Sequence, residues 1–254
     1  MAFFLLVHGS CHGAWCWRDV IPALAVRGHE ARAIDLPAHG DDPKPPAEAS
    51  LEAYAAAIAA ALAEAPEPAV LVGHSAGGIA ISAAAERAPE RIRRLVYLCA
   101  YALEDGESLA EVRRRARRQP LLPAIRRAAD GLTFTVDPDR APGIFYHDCP
   151  PEAVAYALPR LCPEPIAPQE TPLDLTDRSR TLPRTYILCT HDRTIPPEAQ
   201  REMTADWPPD SVVTLASGHS PFLACPDALA DILVAAADTT PARGENRTSR
   251  ENHP

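Results

Sequence analysis

Short apolar runs alternate with alanine-rich stretches along most of this chain of 254 residues. The apolar runs are rich in Val, Ile and Leu, and they cover residues 3–8, 31–34, 70–73, 95–99, 185–190 and 212–215. They lack a strict apolar–polar alternation, which is typical of strands covered on both faces. Strands that alternate with helices favour a parallel sheet. The sequence therefore predicts an α/β protein with a mostly parallel sheet of about six strands flanked by helices.

The stretches between the apolar runs carry helix signals. The candidate helices cover residues 15–27, 51–65, 77–87, 197–206 and 226–237. Ser50 is a suitable N-cap for the second candidate, and Glu52 lies in its first turn. Gly28 directly follows the first candidate, as expected at a helix C-terminus.

The alternation breaks between residues 101 and 182, where prolines are frequent and periodicity is weak. The segment is long and contains apolar residues such as Leu121 and Leu122, which disfavours a simple linker. We expect a helical cap or lid, inserted between core segments 1–100 and 183–238 and lying over the C-terminal edge of the sheet. The polar residues 239–254 predict a disordered tail.

Composition and charge exclude several classes of protein. A net charge of -9 and an aromatic content of 6% disfavour a nucleic-acid partner. The chain contains no run of 18 apolar residues, so no membrane span is predicted. The seven cysteines are scattered without a C-x-x-C motif, which favours reduced thiols over a disulfide framework or a zinc site. The first residues read as a strand and not as a signal peptide, so a cytoplasmic location is expected.

The motif G-H-S-A-G at residues 73–77 lies directly between a predicted strand and a predicted helix. This context makes a short motif specific for a nucleophilic serine. A tight strand-to-helix turn forces Ser75 into an unfavourable backbone conformation, and glycines at 73 and 77 let the strand and the helix pass closely. The hydroxyl then projects at a helix N-terminus, where negative charge is favoured. We expect Ser75 to be the nucleophile.

A serine nucleophile needs a base and a carboxylate that orients the base. Among the nine histidines, His219 follows the last predicted strand, and Asp192 follows the strand before it. Loops after the strands of an open parallel sheet gather at one edge. The chain order Ser, Asp, His is the one expected of this architecture. Asp206 and Asp210 are weaker candidates because both flank a helix end.

Two backbone N–H groups must also stabilise the oxyanion that forms during acyl transfer. One is expected from Ala76, directly after the nucleophile. The other is expected from the loop after the first strand, H-G-S-C-H-G at residues 8–13, most plausibly from Ser10. Glycines at 9 and 13 let this loop approach the reacting carbonyl. The loop lacks the spacing of a phosphate-binding or dinucleotide-binding motif.

Four motifs together carry a resemblance to a known family. They are L-V-H-G-S-C-H-G-A-W-C-W at 6–17, D-L-P-A-H-G at 35–40, G-H-S-A-G-G at 73–78 and C-T-H-D-R-T-I-P at 189–196. They resemble the α/β-hydrolase superfamily, and within it the branch of plant methylesterases, hydroxynitrile lyases and bacterial esterase relatives. The resemblance spans residues 3 to about 237 and is weakest in the cap. It implies Ser75, Asp192 and His219 as the catalytic triad, with Ser10 and Ala76 at the oxyanion hole.

Two chemistries exist in this branch, and two positions separate them. The lyases that resemble this chain carry a threonine where it has Gly9 and a lysine where it has Ser220. That lysine holds developing cyanide as an anion. The single lysine here, Lys44, lies far away in a proline-rich loop. An esterase is therefore favoured. A lyase, a natural-product-tailoring catalyst and a ligand-binding receptor on the same fold remain as alternatives.

Most candidate substrate-contact residues lie in the cap. Leu121, Phe145 and Tyr146, together with Gly9 of the core, are expected to contact the substrate. Further apolar candidates of the cap are Leu122, Leu132, Phe134 and Ile144. The cap also carries arginines at positions 113, 114, 115, 117, 118, 126 and 127. For this run of arginines, a solvated helix face is favoured over an anion-binding role.

The reaction expected of these residues is hydrolysis of a small-molecule carboxylic ester, such as a methyl or aryl ester, through an acyl-enzyme. No metal or organic cofactor is expected, and neither a nucleic acid nor a membrane is an expected partner. A homodimer is an assembly that the sequence leaves open.

Overall fold

The computed structural model describes residues 1–239. In chain order, its nine strands are β1 (Phe3–Val7), β2 (Glu30–Ile34), β3 (Ala69–His74), β4 (Ile92–Leu98), β5 (Ile125–Arg127), β6 (Thr133–Val136), β7 (Glu164–Pro165), β8 (Arg184–Cys189) and β9 (Val212–Leu215). Six of them form one parallel sheet with the order β2-β1-β3-β4-β8-β9. This confirms the predicted α/β fold and its sheet of about six strands.

The burial of the strands explains why the apolar runs revealed them. Every residue of β1 and of β3 is buried, because helices cover both faces of the sheet. The edge strand β2 is instead partly exposed along its whole length. Its sequence is accordingly less apolar, with Glu30 and Arg32 among its five residues.

In chain order, the eleven α-helices of the described residues are α1 (Val20–Val26), α2 (Leu51–Ala63), α3 (Gly77–Arg87), α4 (Leu109–Arg115), α5 (Ala141–Phe145), α6 (Pro151–Ala157), α7 (Ala167–Glu170), α8 (Asp177–Arg180), α9 (Pro197–Met203), α10 (Pro221–Ala224) and α11 (Pro226–Asp238). Helix α2 begins at its predicted N-cap, Ser50, whose side chain accepts a hydrogen bond from Ala53 N–H at 3.0 Å. None of these helices is long and apolar enough to cross a membrane.

The predicted helix over residues 15–27 is divided in two. A 3-10 helix covers Ala14–Trp17, and α1 starts at Val20. Pro22 has no N–H to donate to the carbonyl of Arg18, so a helix cannot continue through this point with all its hydrogen bonds. The division is therefore a consequence of one proline within an otherwise helical pattern.

The segment predicted to be a helical cap contains the short helices α4 to α8, and it also contains an antiparallel sheet with the order β5-β6-β7. No pattern in the sequence predicts this sheet. Its strands have two to four residues, too few for an alternating pattern, and β7 pairs with β6 across 30 residues of chain. The boundaries of the cap stay a prediction, and the predicted tail from residue 240 onward lies outside the described residues.

Candidate active site

Ser75 lies in the turn between β3 and α3, and its backbone has a φ of 52°. This left-handed conformation is strained for a residue with a side chain. The strain persists because the elements around it are packed too closely to relax. A Cβ atom at Gly77 would lie 2.5 Å from the carbonyl oxygen of His8, and one at Gly73 would lie 2.8 Å from the carbonyl oxygen of Gly77. Close packing of this kind requires glycine at both positions.

The loops after β8 and β9 bring Asp192 and His219 together. The Nδ1 atom of His219 lies 2.8 Å from Oδ2 of Asp192, and both residues are buried. Because a carboxylate accepts hydrogen bonds, His219 donates its Nδ1–H here. The lone pair of the neutral ring is then on Nε2, which is the tautomer that a general base requires.

Neutral donors hold the carboxylate of Asp192 in place. Its Oδ1 accepts the backbone N–H groups of Thr194 at 2.6 Å and Ile195 at 2.9 Å. Its Oδ2 also accepts the side-chain amide of Gln200 at 3.0 Å. The positions of these three donors fix the direction in which the carboxylate faces His219.

His74 connects the nucleophile turn to the loop of His219. Its Nε2–H donates to the carbonyl oxygen of His219 at 2.8 Å, and the two rings lie 4.6 Å apart. Burial, together with the neighbouring His219, holds the pKa of His74 well below its usual value. No hydrogen bond joins Ser75 Oγ to His219 Nε2 within residues 1–239, and bonds of this kind commonly tighten only when substrate binds.

The loop after β1 lies directly against Ser75. A Cβ atom at Gly9 would lie 2.7 Å from Cβ of Ser75. Across the described residues, the backbone N–H groups of Ser10 and Ala76 donate to no protein acceptor. Ala76 also precedes the first residue of α3, where the helix leaves N–H groups unpaired. Both predicted oxyanion donors are therefore without a protein partner in the described part of the chain, and their role at an oxyanion stays a prediction.

A cavity of about 290 Å³ opens at Ser75 and Ser10, between the core and the cap. Of the predicted contact residues, Leu121 and Phe145 line it. Tyr146 does not, because its hydroxyl is buried and bonded to Nε2 of His12 at 2.8 Å.

The other apolar candidates of the cap do not line this cavity. Leu122 is 54% exposed and Leu132 is 45% exposed. Phe134 is buried in the hydrophobic core, and Ile144 packs against that core. The sequence could identify these residues as apolar, but it could not tell which of them face the cavity.

The cap arginines are mostly held by carboxylates. Arg115 pairs with Glu107, and Arg118 pairs with Glu198. Both arginines line the cavity, as does Arg113, but several acidic side chains line it too. These are Glu104, Glu107, Glu202 and Asp206. The cavity wall is thus of mixed charge. This favours the interpretation of the arginine run as a solvated helix face over an anion-binding role.

Three potential metal ligands lie close together beside the triad. The ligand atoms of His74, Cys99 and His219 are within 4.8 Å of one another. His219 uses Nδ1 to bond Asp192, while Nε2 of His74 and Sγ of Cys99 both bond the carbonyl oxygen of His219. These hydrogen bonds explain the cluster without an ion, and the expectation of a metal-free reaction stays a prediction.

Sequence reasoning missed two residues that support the site. Gln200 holds Asp192, and its Oε1 also accepts the N–H of Cys189 at 3.1 Å. It lies in a predicted helix with other polar residues, so no local signal distinguishes it. The sequence signal for His74 is its place in the motif: a histidine next to the nucleophile is close enough to contact the loop of the base.

A parallel sheet, a serine on a strained strand-to-helix turn and a buried carboxylate–histidine pair define a hydrolase-type site. The sequence matches the sequence model of the alpha/beta hydrolase family over residues 4–232. The chain belongs to this family, as the motifs predicted.

Relatives extend the comparison over nearly the whole chain. Methylesterase 1 of Arabidopsis thaliana is 31% identical over 251 residues, which cover 92% of this chain and 95% of the relative. The pyrethroid hydrolase of Sphingobium wenxiniae is 30% identical over 243 residues, covering 92% and 87%. A crystal structure of a pyrethroid hydrolase from Sphingobium faniae JZ-2 superposes with a TM-score of 0.85 at 28% identity, covering 94% and 98%. These similarities confirm the predicted branch and the predicted class, a carboxylic ester hydrolase.

Proposed function

We propose that the protein hydrolyses a small-molecule carboxylic ester through an acyl-enzyme on Ser75. The observation that carries the proposal is the buried hydrogen bond between Asp192 and His219, found together with a strained Ser75 that lines a cavity. Within the described residues, the N–H groups of Ser10 and Ala76 donate to no protein acceptor, and Ser10 lines the same cavity as Ser75.

In the first half of the reaction, Ser75 Oγ attacks the ester carbonyl carbon while its proton passes to Nε2 of His219. The carbonyl π bond breaks, and the electron pair moves onto the oxygen, which the N–H groups of Ser10 and Ala76 stabilise. The imidazolium that forms is stabilised by the carboxylate of Asp192. Collapse of this intermediate breaks the bond to the alkoxy group, which takes the proton from His219 and leaves as an alcohol.

In the second half, water replaces the alcohol. His219 takes a proton from the water, whose oxygen attacks the acyl carbon, and the oxyanion forms again in the same hole. Its collapse releases the acid and returns the proton from His219 to Ser75. The cycle needs no further reactant.

The cavity supports a small substrate with an apolar part. Its lining includes Phe145, Leu121 and Ile195, and its volume of about 290 Å³ suits an aryl or short acyl group. The relatives include a methylesterase and a pyrethroid hydrolase, which supports methyl and aryl esters as the first substrates to test.

The lyase alternative is disfavoured by the surroundings of Gly9 and Ser220. A side chain at Gly9 would meet Cβ of Ser75 at 2.7 Å and Nδ1 of His74 at 2.9 Å, so the threonine of the similar lyases has no room here. Ser220, where those lyases carry a lysine, is completely buried. A side chain at Gly9 therefore requires its neighbours to move, and Ser220 carries no positive charge that could hold cyanide.

The cytoplasmic location also stays part of this proposal. All seven cysteines are unpaired. Unpaired thiols are typical of a reducing compartment.

Stopped-flow hydrolysis of p-nitrophenyl acetate and of a methyl arylacetate tests the proposal. We expect a burst of about one product per enzyme, followed by turnover, in the wild type. Ser75→Ala should lose about 10⁵- to 10⁶-fold in kcat, as in other serine triads. Ser211→Ala, at a surface serine bonded to the carbonyl of Pro208, serves as the matched control and should keep full activity. Equal inactivity of the wild type and Ser75→Ala on both esters would contradict the proposal.

A further inference from the structure

A second buried carboxylate–histidine pair lies outside the triad, at the contact between cap and core. Glu164 of β7 accepts a hydrogen bond from Nε2 of His39 at 2.9 Å, and both side chains are at most 3% exposed. Burying a charged pair is a weak source of stability, because both ions lose their hydration. A pair of this kind calls for an explanation other than stability.

The contacts of Glu164 lead to the oxyanion loop. Its Oε2 also accepts the backbone N–H of Cys11 at 2.7 Å. Its Oε1 accepts the side-chain amide of Gln169 at 2.9 Å, and the same amide nitrogen donates to Oγ of Ser10 at 2.8 Å. One carboxylate thus holds the residue that follows the predicted oxyanion donor, and it holds the side chain of that donor through Gln169.

The other side of the same peptide group is held as well. The carbonyl oxygen of Ser10 accepts Nδ1–H of His12 at 2.7 Å, and Nε2 of His12 accepts the hydroxyl of Tyr146 at 2.8 Å. The peptide between Ser10 and Cys11 is therefore fixed at both its C=O and its N–H. This matters because Cys11 has a φ of 61°, a strained conformation that persists only when the surroundings impose it.

The charge state of the pair follows from its hydrogen bonds. His39 donates Nδ1–H to the carbonyl oxygen of Pro37 at 3.2 Å and Nε2–H to Glu164, so both ring nitrogens carry protons. Burial alone would lower the pKa of His39, but the charge and hydrogen bond of Glu164 outweigh burial, and the pKa is raised. Burial likewise raises the pKa of Glu164, yet His39 and the donors from Cys11 and Gln169 lower it overall.

We infer that Glu164 is a positioning residue of the oxyanion hole: held by His39, it fixes the Ser10–Cys11 peptide so that the N–H of Ser10 faces the substrate oxyanion. The cap thereby completes the catalytic machinery of the core. The inference rests on the proposed ester hydrolysis through Ser75. Glu164 does not touch the substrate, and it acts through Cys11 and Gln169.

The kinetic test compares Glu164→Ala and Glu164→Gln with the wild type on p-nitrophenyl acetate. Loss of one oxyanion donor commonly costs about 10²- to 10³-fold in kcat, so we expect a loss of about 10²-fold in Glu164→Ala with KM changed less than threefold. Glu164→Gln keeps an oxygen that can accept the N–H of Cys11, and it should recover part of the rate. Glu170→Gln is the matched control, because this exposed cap carboxylate lies six residues away and pairs only loosely with Arg127, at 3.8 Å.

An inhibitor pair separates positioning from general damage to the pocket. A trifluoromethyl ketone, 1,1,1-trifluoro-3-phenylpropan-2-one, adds to Ser75 and forms an oxyanion, whereas phenylacetone only occupies the cavity. In Glu164→Ala we expect the affinity for the trifluoromethyl ketone to fall in parallel with kcat, while the affinity for phenylacetone stays within threefold.

Three results would overturn the inference. One is a folded Glu164→Ala protein with the kcat of the wild type. Another is an equal loss of affinity for both ketones. If Glu164→Ala does not fold, Glu164→Gln and Gln169→Met decide, and wild-type kcat in both would overturn it. Failure of the proposed function itself is recognised separately, by the absence of a burst in the wild type.

Discussion

Two buried carboxylates each hold a histidine in this molecule, one in the core and one at the contact between cap and core. Asp192 receives three donors besides His219, and Glu164 receives two besides His39. The pairs differ in the second nitrogen of each histidine. Nε2 of His219 bonds to no group within residues 1–239, whereas Nδ1 of His39 donates to the carbonyl oxygen of Pro37.

That difference makes His219 suitable as a base and His39 suitable as a structural cation. A histidine with one ring nitrogen unbonded can take a proton from a nucleophile and return it. A histidine whose two nitrogens both donate stays protonated and acts as a fixed charge. The same two residue types therefore serve proton transfer at one place and backbone positioning at the other.

Changing Asp192 should have the largest effect among the substitutions that leave the serine in place. In Asp192→Asn the amide oxygen stays with the two backbone N–H groups that Oδ1 accepts, so the NH2 group takes the place of Oδ2. This NH2 group donates to Nδ1 of His219 and thereby favours the wrong tautomer. By analogy with other triads, kcat on p-nitrophenyl acetate should fall about 10⁴-fold. Asp210→Asn, outside the site, is the control. A loss of less than tenfold in Asp192→Asn would show that the pair does not act as base and orienter.

Gly9→Ala should have a smaller effect. The added methyl group would lie 2.7 Å from Cβ of Ser75, so the oxyanion loop and the nucleophile must move apart. Displacements of this kind commonly cost about 10²-fold in rate. Gly143→Ala is the matched control, because a Cβ there meets nothing within 4 Å. Equal kcat/KM values for the two variants would contradict the close packing of the loop against Ser75.

The smallest expected effect concerns His12, which holds the carbonyl oxygen of Ser10, and it appears in the pH dependence of stability. Burial lowers the pKa of His12 to about 4, from a usual value of 6.5. Below about pH 6.5 the unfolded chain takes up this proton before the folded protein does, so the free energy of unfolding falls as the pH drops from 6.5 towards 4. The contribution of His12 between pH 7 and pH 4.5 is about 2 kcal/mol.

Urea unfolding at both pH values measures this contribution. His12→Asn should show a smaller loss of stability on acidification than the wild type, by about 2 kcal/mol. His191→Asn, at an exposed histidine, should show the full loss. An unchanged pH dependence in His12→Asn would mean that His12 is not held neutral between Ser10 and Tyr146.

Local sequence patterns predicted the core of the molecule because each of its features has a local cause. Strands such as β3 are buried on both faces and read as apolar runs, and the turn at Ser75 needs small residues at fixed positions. The positions of Asp192 and His219 follow from chain order once the sheet is parallel. Gln200 could not be predicted, because its contact with Asp192 depends on how α9 packs and not on any motif.

The cap contains contacts that local sequence patterns do not predict. Its strands β5 to β7 are short, and β7 pairs with β6 across 30 residues of chain. Glu164 and His39 are 125 residues apart, and neither lies in a pattern that indicates burial. Contacts of this kind are set by tertiary packing, which a single sequence does not display.

Identification of the acylated residue tests the central claim most directly. The wild-type enzyme is acid-quenched during turnover of p-nitrophenyl acetate, digested and analysed by mass spectrometry. We predict one acetyl group per chain, on the peptide that contains Ser75, and none in Ser75→Ala. An acetyl group on another residue of the cavity, such as Ser10, with Ser75 unmodified, would contradict the account.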